Sequence, residues 1–143
     1  MIVLDTNVIL ELMRPVPHPA VLAWIAEQPR ATVYTTSVNQ AEILYGIEAL
    51  PDGRRRRGLA DAAAALFADD FAGRVLSFGP DAASHYAAIV GMRRKSGNPI
   101  EAFDALIAAT ARAAGAGVAT RDVSGFEECG LAVVNPWQHS LST

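Results

Sequence analysis

Four acidic residues stand where apolar ones would be expected. Asp5 ends the apolar run Ile2-Val3-Leu4. Glu42 shares a helical stripe with Val38, Tyr45 and Ala49, and Asp104 shares one with Ile100, Ile107, Ala108 and Ala111. Asp122 comes just after the short run Val118-Ala119-Thr120. A carboxylate on an apolar stripe is costly unless it is paired or coordinates a metal. Basic residues offer little pairing: none lies within a helical turn of Glu42, and Arg112 is two turns beyond Asp104. If the four converge, two unit charges ~5 Å apart at an effective dielectric of ~20 repel by ~3 kcal/mol, and a divalent cation reverses that penalty. Oxygen-only donors suit Mg²⁺ or Mn²⁺, and such sites promote attack of water on phosphodiesters. Thr120 and Asn7 are candidate hydrogen-bonders to metal-bound water or phosphate.

Taken singly, each residue has an ordinary reading. Asp5-Thr6-Asn7 is equally a capped strand end, Glu42 and Asp104 equally surface or helix-boundary residues, Asp122 a loop carboxylate and Thr120 a plain strand residue. Their joint placement is more informative, because all four fit one edge of one sheet.

The elements that must position them follow from local pattern. Strands are expected at 2–4, 32–36, 75–78, 118–120 and 131–134, where β-branched, aromatic and other apolar residues run together. Helices are expected at about 6–12, 19–28, 37–50, 54–71, 81–95 and 100–114. Thr6 or Asn7 caps the first of these. Pro19 falls in the first turn of the second, and Ser37 with Gln40 forms a capping box for the third. The third and fourth form a hairpin, Ser37–Phe71, whose Ala-rich surface suggests a groove for a partner. Asn135-Pro136-Trp137 and a polar tail close the chain. Strands alternating with helices imply a parallel sheet between helical layers, so the fold class is α/β, three layers α/β/α, with four to five strands in one domain over residues 1–143. Ligands of such sheets bind outside the carboxyl ends of the strands, where Asp5 and Asp122 both belong.

Composition narrows the function classes. The formal net charge is −3, which argues against gripping nucleic acid by bulk positive charge but not against reaching phosphates through bound cations. Hydrophobic residues make up 51% and charged residues 19%, a balance that leaves surface for a partner. No apolar run approaches the ~20 residues of a membrane span, and the N-terminus lacks the features of a signal peptide. Cys129 is the only cysteine, which excludes a disulfide framework and points to the cytoplasm. There is no phosphate-binding glycine loop and no nucleophile elbow. His18, His85 and His139 show no metal-ligand spacing. Arg54–Arg57 reads as a solvated helix start, and Trp24 and Trp137 as packing residues.

The motifs Ile2-Val-Leu-Asp5-Thr6-Asn7, Ala41-Glu42, Asp104-Ala-Leu-Ile107-Ala-Ala-Thr110-Ala and Ala119-Thr120-Arg121-Asp122…Phe126 resemble those of a PIN-domain ribonuclease. The ending Val133-Val134-Asn135-Pro136-Trp137 is most similar to the FitB branch of the VapC-type toxins. The resemblance covers nearly the whole chain. It implies an acidic pocket for Mg²⁺ or Mn²⁺, endoribonuclease activity on structured RNA, a homodimer, and a small DNA-binding antitoxin that inhibits the site and tethers the pair to operator DNA. It assigns metal-ligand roles to Asp5, Glu42, Asp104 and Asp122, places the Thr120 hydroxyl beside the metal, and sets Asn7, Thr6 and Arg121 around the ligands or the substrate. Two departures stand out. Many relatives carry another acidic residue where Gly125 stands, and Glu101 adds a carboxylate either to the rim or to solvent. Two rival readings follow from the same residues. One is a non-catalytic nucleic-acid or partner-binding subunit. The other is phosphoryl transfer through Asp5, which predicts an aspartate at position 7, where Asn7 stands, and a strand-end lysine, whereas Lys95 lies near a helix end.

Overall fold

The computed structural model describes residues 1–141, so the end of the polar tail lies outside the described residues. Five parallel strands form one sheet: β1 (Ile2–Leu4), β2 (Val33–Thr36), β3 (Val75–Leu76), β4 (Gly117–Ala119) and β5 (Val133–Val134). Their order is β3-β2-β1-β4-β5. The chain winds outward one way from β1 through β2 and β3, then returns to place β4 on the other side of β1. The carboxyl edge between β1 and β4 is therefore the topological switch point, where open α/β sheets bind ligands.

Six helices cover the sheet: α1 (Thr6–Leu12), α2 (Pro19–Ala26), α3 (Ser37–Glu48), α4 (Arg54–Ala65), α5 (Pro80–Lys95) and α6 (Ala102–Ala113). Strand alternation sorts them into two layers. Val3 and Val118 pack with Ile89 of α5 and with Ile107, Ala108 and Ala111 of α6. Leu4 and Ala119 pack on the opposite face with Val8 and Ile9 of α1, Val21 and Trp24 of α2, Ile43 of α3 and Ala63 of α4. The three-layer α/β/α architecture expected from the sequence is the one observed.

Several boundaries differ, each for a local reason. The strand expected at 75–78 stops at Leu76, because its neighbour β2 ends at Thr36 and turns into α3, leaving Ser77 and Phe78 nothing to pair with. The helix expected to reach Phe71 is α-helical only to Ala65. A π turn over Leu66–Asp70 follows, closed by the Phe71 amide donating to the Leu66 carbonyl at 2.9 Å. The wider turn brings Phe67 and Phe71 into one apolar cluster, their rings 6.2 Å apart. Two caps fall one residue earlier than expected. Asp5 caps α1, and Thr36 rather than Ser37 caps α3. In both, the residue that ends a strand also satisfies an orphan amide of the next helix. Arg54, Arg55 and Arg57 are exposed, whereas Arg56 is partly buried and pairs with Glu48 at 2.6 Å and with Asp52. That pairing ties the start of α4 to the end of α3 in the hairpin.

Candidate active site

Asp5 leaves β1 at the switch point and is buried. A buried carboxylate needs donors, and it has three. Oδ1 accepts from the Thr6 amide at 2.8 Å and from Asn39 Nδ2 at 3.1 Å, and Oδ2 accepts from the Thr120 hydroxyl at 2.8 Å. Thr120 stands one residue past β4, its amide still donating to the Val134 carbonyl at 2.9 Å. Its fully buried hydroxyl also accepts from Asn7 Nδ2 at 3.2 Å and from the Asp122 amide at 3.1 Å. Asn7 Oδ1 in turn accepts from the Arg121 amide at 3.1 Å. One hydroxyl thus locks the end of β1 to the loop that carries Asp122.

Asn39 was not singled out by sequence, yet it is the hub of the other half of the site. Its Nδ2 donates to Asp5 and, at 3.1 Å, to the Thr6 hydroxyl, while its Oδ1 accepts from the Thr36 hydroxyl at 2.6 Å. The Thr6 hydroxyl passes the chain on to Glu42 Oε1 at 3.0 Å. A signal did exist: an asparagine, a poor helix former, one turn before the apolar Ile43 and on the same face. Truncation by Asn39→Ala strips a donor from a buried carboxylate. It is expected to cost about 1–3 kcal/mol of stability in urea unfolding and, if Asp5 serves as a metal ligand, roughly 10–100-fold in the activity the site supports. Wild-type turnover by this variant would remove Asn39 from the site.

Glu42 is half-buried, but its surroundings correct the sequence reading of its stripe. Tyr45 is 73% exposed and Ala49 is also exposed, so that face is not core. Instead Glu42 borders an open apolar cleft of about 460 Å³ with Ala41, Tyr45 and Phe103. Asp104 does interrupt a buried face: Ile107, Ala108 and Ala111 are fully buried behind it. Its amide donates to the carboxylate of Glu101, which caps α6. Asp122 caps the 3₁₀ turn Val123–Phe126, accepting from the Gly125 amide at 3.3 Å and from the Ser124 hydroxyl at 3.0 Å. Gly125 lies between two of the carboxylates. A Cβ there would stand 2.8 Å from Asp122 Oδ2 and 3.0 Å from Asp104 Oδ2, so a side chain at position 125 would make both carboxylates shift.

The electrostatics join the group. Burial, then the charges of Asp5, Glu101, Asp122 and Glu42, push the Asp104 carboxyl up to about 7. Burial raises the Glu42 carboxyl, helped by Asp5 and Glu101 and opposed by Thr6. Burial raises Asp5 as well, against its hydrogen bonds from Thr120, Thr6 and Asn39. Glu101 therefore contributes charge at the rim while capping its helix. None of the salt bridges among the described residues involves Asp5, Glu42, Asp104 or Asp122. Helix α3 and helix α6 both begin at this edge, and their positive ends favour anions. Among the described residues no three Asp, Glu, His or Cys side chains already stand at coordinating spacing; the carboxylates are linked by charge rather than by a preassembled shell. The donor set, all oxygen and in excess of any local cation, fits a hard divalent ion. Arg121 is exposed, and its guanidinium lies 5.1 Å from the centre of the Trp137 ring. Both Asp5 oxygens are engaged by donors, which counts against Asp5 as a nucleophile.

The profile of the PIN domain matches residues 2–129. This chain belongs to the PIN-domain family. Within it, the chain is 46% identical over 138 residues to the VapC ribonuclease Y4jK of Sinorhizobium fredii, a match that spans 96% of this chain and 99% of that protein. It is 39% identical to Toxin FitB of Neisseria gonorrhoeae, again over 96% of this chain and 99% of the relative. A solved FitAB assembly bound to a DNA fragment superposes on the whole of this PIN domain with a TM-score of 0.91 at 37% identity, covering 100% of both chains. FitAcB from Neisseria gonorrhoeae superposes with a TM-score of 0.87 at 38% identity over 96% of this chain and 99% of that one. The PIN domain is thus of the VapC/FitB type, as its motifs implied. Among the described residues, no helix is long and apolar enough to cross a membrane.

Proposed function

We propose that this protein is a metal-dependent endoribonuclease, the toxin of a toxin–antitoxin pair. The observation that supports the reading is the group of carboxylates at the switch point, none of them in a salt bridge among the described residues, where burial and then mutual repulsion push the Asp104 carboxyl up to about 7. Asp5 and Asp104 would hold the principal Mg²⁺ or Mn²⁺, with Glu42 and Asp122 completing the site or holding a second ion. When bound, the ion lowers the pKa of water and stabilises charge on the displaced oxygen of a phosphodiester. Thr120, Asn39 and the Thr6 amide oppose the effect of burial on Asp5 and fix its direction. Glu42, steadied by Thr6, and Asp122, steadied by Ser124 and Gly125, orient the attacking water. The substrate is RNA, reached across a chain of net charge −3 through the cation rather than a basic surface.

A small DNA-binding antitoxin is the proposed partner, in keeping with the FitAB assembly found on DNA, and the toxin itself is proposed to pair as a homodimer. Exposed Tyr45 and Phe103 line the apolar cleft beside Glu42, a surface suited to the antitoxin. Purified protein is expected to cleave a structured RNA in 1 mM-range Mn²⁺, on the order of the affinities of exposed carboxylate sites, and to stop when EDTA is added. The new ends should carry no 2′,3′-cyclic phosphate, because water is the nucleophile. Cleavage that persists in EDTA, or cyclic ends, would overturn the assignment.

A further inference from the structure

Arg93, in the last turn of α5, is 3% exposed and joins no salt bridge among the described residues. A buried charge of that kind is costly unless its donors are used, and its donors go to the backbone of two separate segments. Nε donates to the Asn98 carbonyl at 2.7 Å. Nη1 donates to the carbonyls of Gly125 at 3.1 Å and Glu127 at 2.9 Å, and lies 3.8 Å from Cys129 Sγ. Asn98 belongs to the loop entering α6, which leads to Glu101 and Asp104. Gly125 belongs to the turn capped by Asp122. Its carbonyl is held by Arg93, while a Cβ at this position would meet the carboxylates of both Asp104 and Asp122.

We propose that Arg93 is a positioning residue that ties the Asp104 and Asp122 segments together and so sets the spacing of two carboxylates in the candidate active site. Its functional consequence rests on the ribonuclease reading above. The planar fork of arginine spans carbonyls in two directions from separate nitrogens, whereas the three donors of lysine share one nitrogen and cannot reach both segments at this spacing.

The test uses the full chain with Arg93→Lys and Arg93→Met. In metal-free protein, amide hydrogen exchange over 98–104 and 121–130 is expected to quicken together, by about tenfold, with the central strands unchanged. Calorimetry with Mn²⁺ alone is expected to show affinity reduced roughly 10–100-fold, the range for partners that orient metal ligands. The Mn²⁺ concentration for half-maximal cleavage should rise in parallel, while KM for RNA stays within about twofold. Exchange that changes in only one segment or in neither, or unchanged Mn²⁺ binding, overturns the proposal. If neither variant folds, the wild type decides: Mn²⁺ should protect both segments with one midpoint, and separate midpoints overturn the tie. A wild type that binds no Mn²⁺ would instead sink the ribonuclease reading, and the metal-free exchange data would still judge the tie.

Discussion

Asp5→Asn is expected to abolish the growth arrest that the ribonuclease reading predicts on expression in a bacterial host, and to lower RNA cleavage by the purified variant by more than the roughly 100-fold that an orienting partner is worth. The fold survives, because asparagine caps a helix about as well as aspartate and its side-chain oxygen can still accept from Thr6 and Asn39. The site does not survive, because the amide places a donor where Thr120 now delivers its proton to Oδ2. The Thr120 hydroxyl already accepts from Asn7 and from the Asp122 amide, so reversing its bond to residue 5 overloads it and loosens the lock between β1 and the Asp122 loop. Charge is lost at the same time, and with it the strongest neighbouring influence on Asp104 after burial. Circular dichroism should match the wild type. Equal arrest of growth by both proteins would mean that toxicity does not come from carboxylate-dependent cleavage.

Asp104→Asn is expected to stabilise the metal-free protein at neutral and alkaline pH and, on the ribonuclease reading, to remove its activity. The Asp104 carboxyl is raised to about 7 in the folded chain, above its unfolded value near 4. Between those values the folded state binds more protons than the unfolded state. Stability is therefore fully present below about pH 4 and is lost as pH rises through about 7. Asparagine keeps the neutral form at every pH. Allowing for partial exposure and for titration shared with its neighbours, the variant should gain about 1–2 kcal/mol at pH 8 in EDTA, a rise of several degrees in Tm for a chain of this size. The gain shrinks toward pH 4. Saturating Mn²⁺ should raise the wild-type Tm at pH 8 and leave the variant nearly unmoved. A variant that melts below the wild type in EDTA at pH 8, with the same pH slope, would show that repulsion at Asp104 is not what limits stability.

Asp104 was legible in the sequence for the right reason: the residues around it at helical spacing are buried, and the carboxylate interrupts them. Glu42 was picked out through a mistaken register of burial, since Tyr45 and Ala49 face outward and Asn39 and Ile43 face in. Periodicity alone cannot tell an exposed apolar stripe meant for a partner from one that meets the core. The parallel sheet followed from the alternation of strands and helices, and the shared edge of Asp5 and Asp122 from their places just after strands; the order of the strands did not. The lengths of β3 and of the helix ending at the π turn did not, because they depend on where a neighbour stops pairing and on how two phenylalanines find the core. Asn39 and Arg93 escaped notice because their types have common local uses: asparagine in helix caps, arginine in a last turn facing the carbonyls there. Only tertiary placement shows that both spend their donors on the site.

The lock between Asp5 and Thr120 joins residues 115 positions apart, and β1 acquires its β4 neighbour only through residues 117–119. During synthesis, Asp5, Glu42 and Asp104 all emerge before the segment that completes their surroundings. A chain that has not yet reached residue 117 holds one flank of β1 open and lacks Asp122 altogether. On the ribonuclease reading, cleavage waits until residues 117–122 have been made and paired, so a partial chain that carries Asp5, Glu42 and Asp104 alone is expected to be inert.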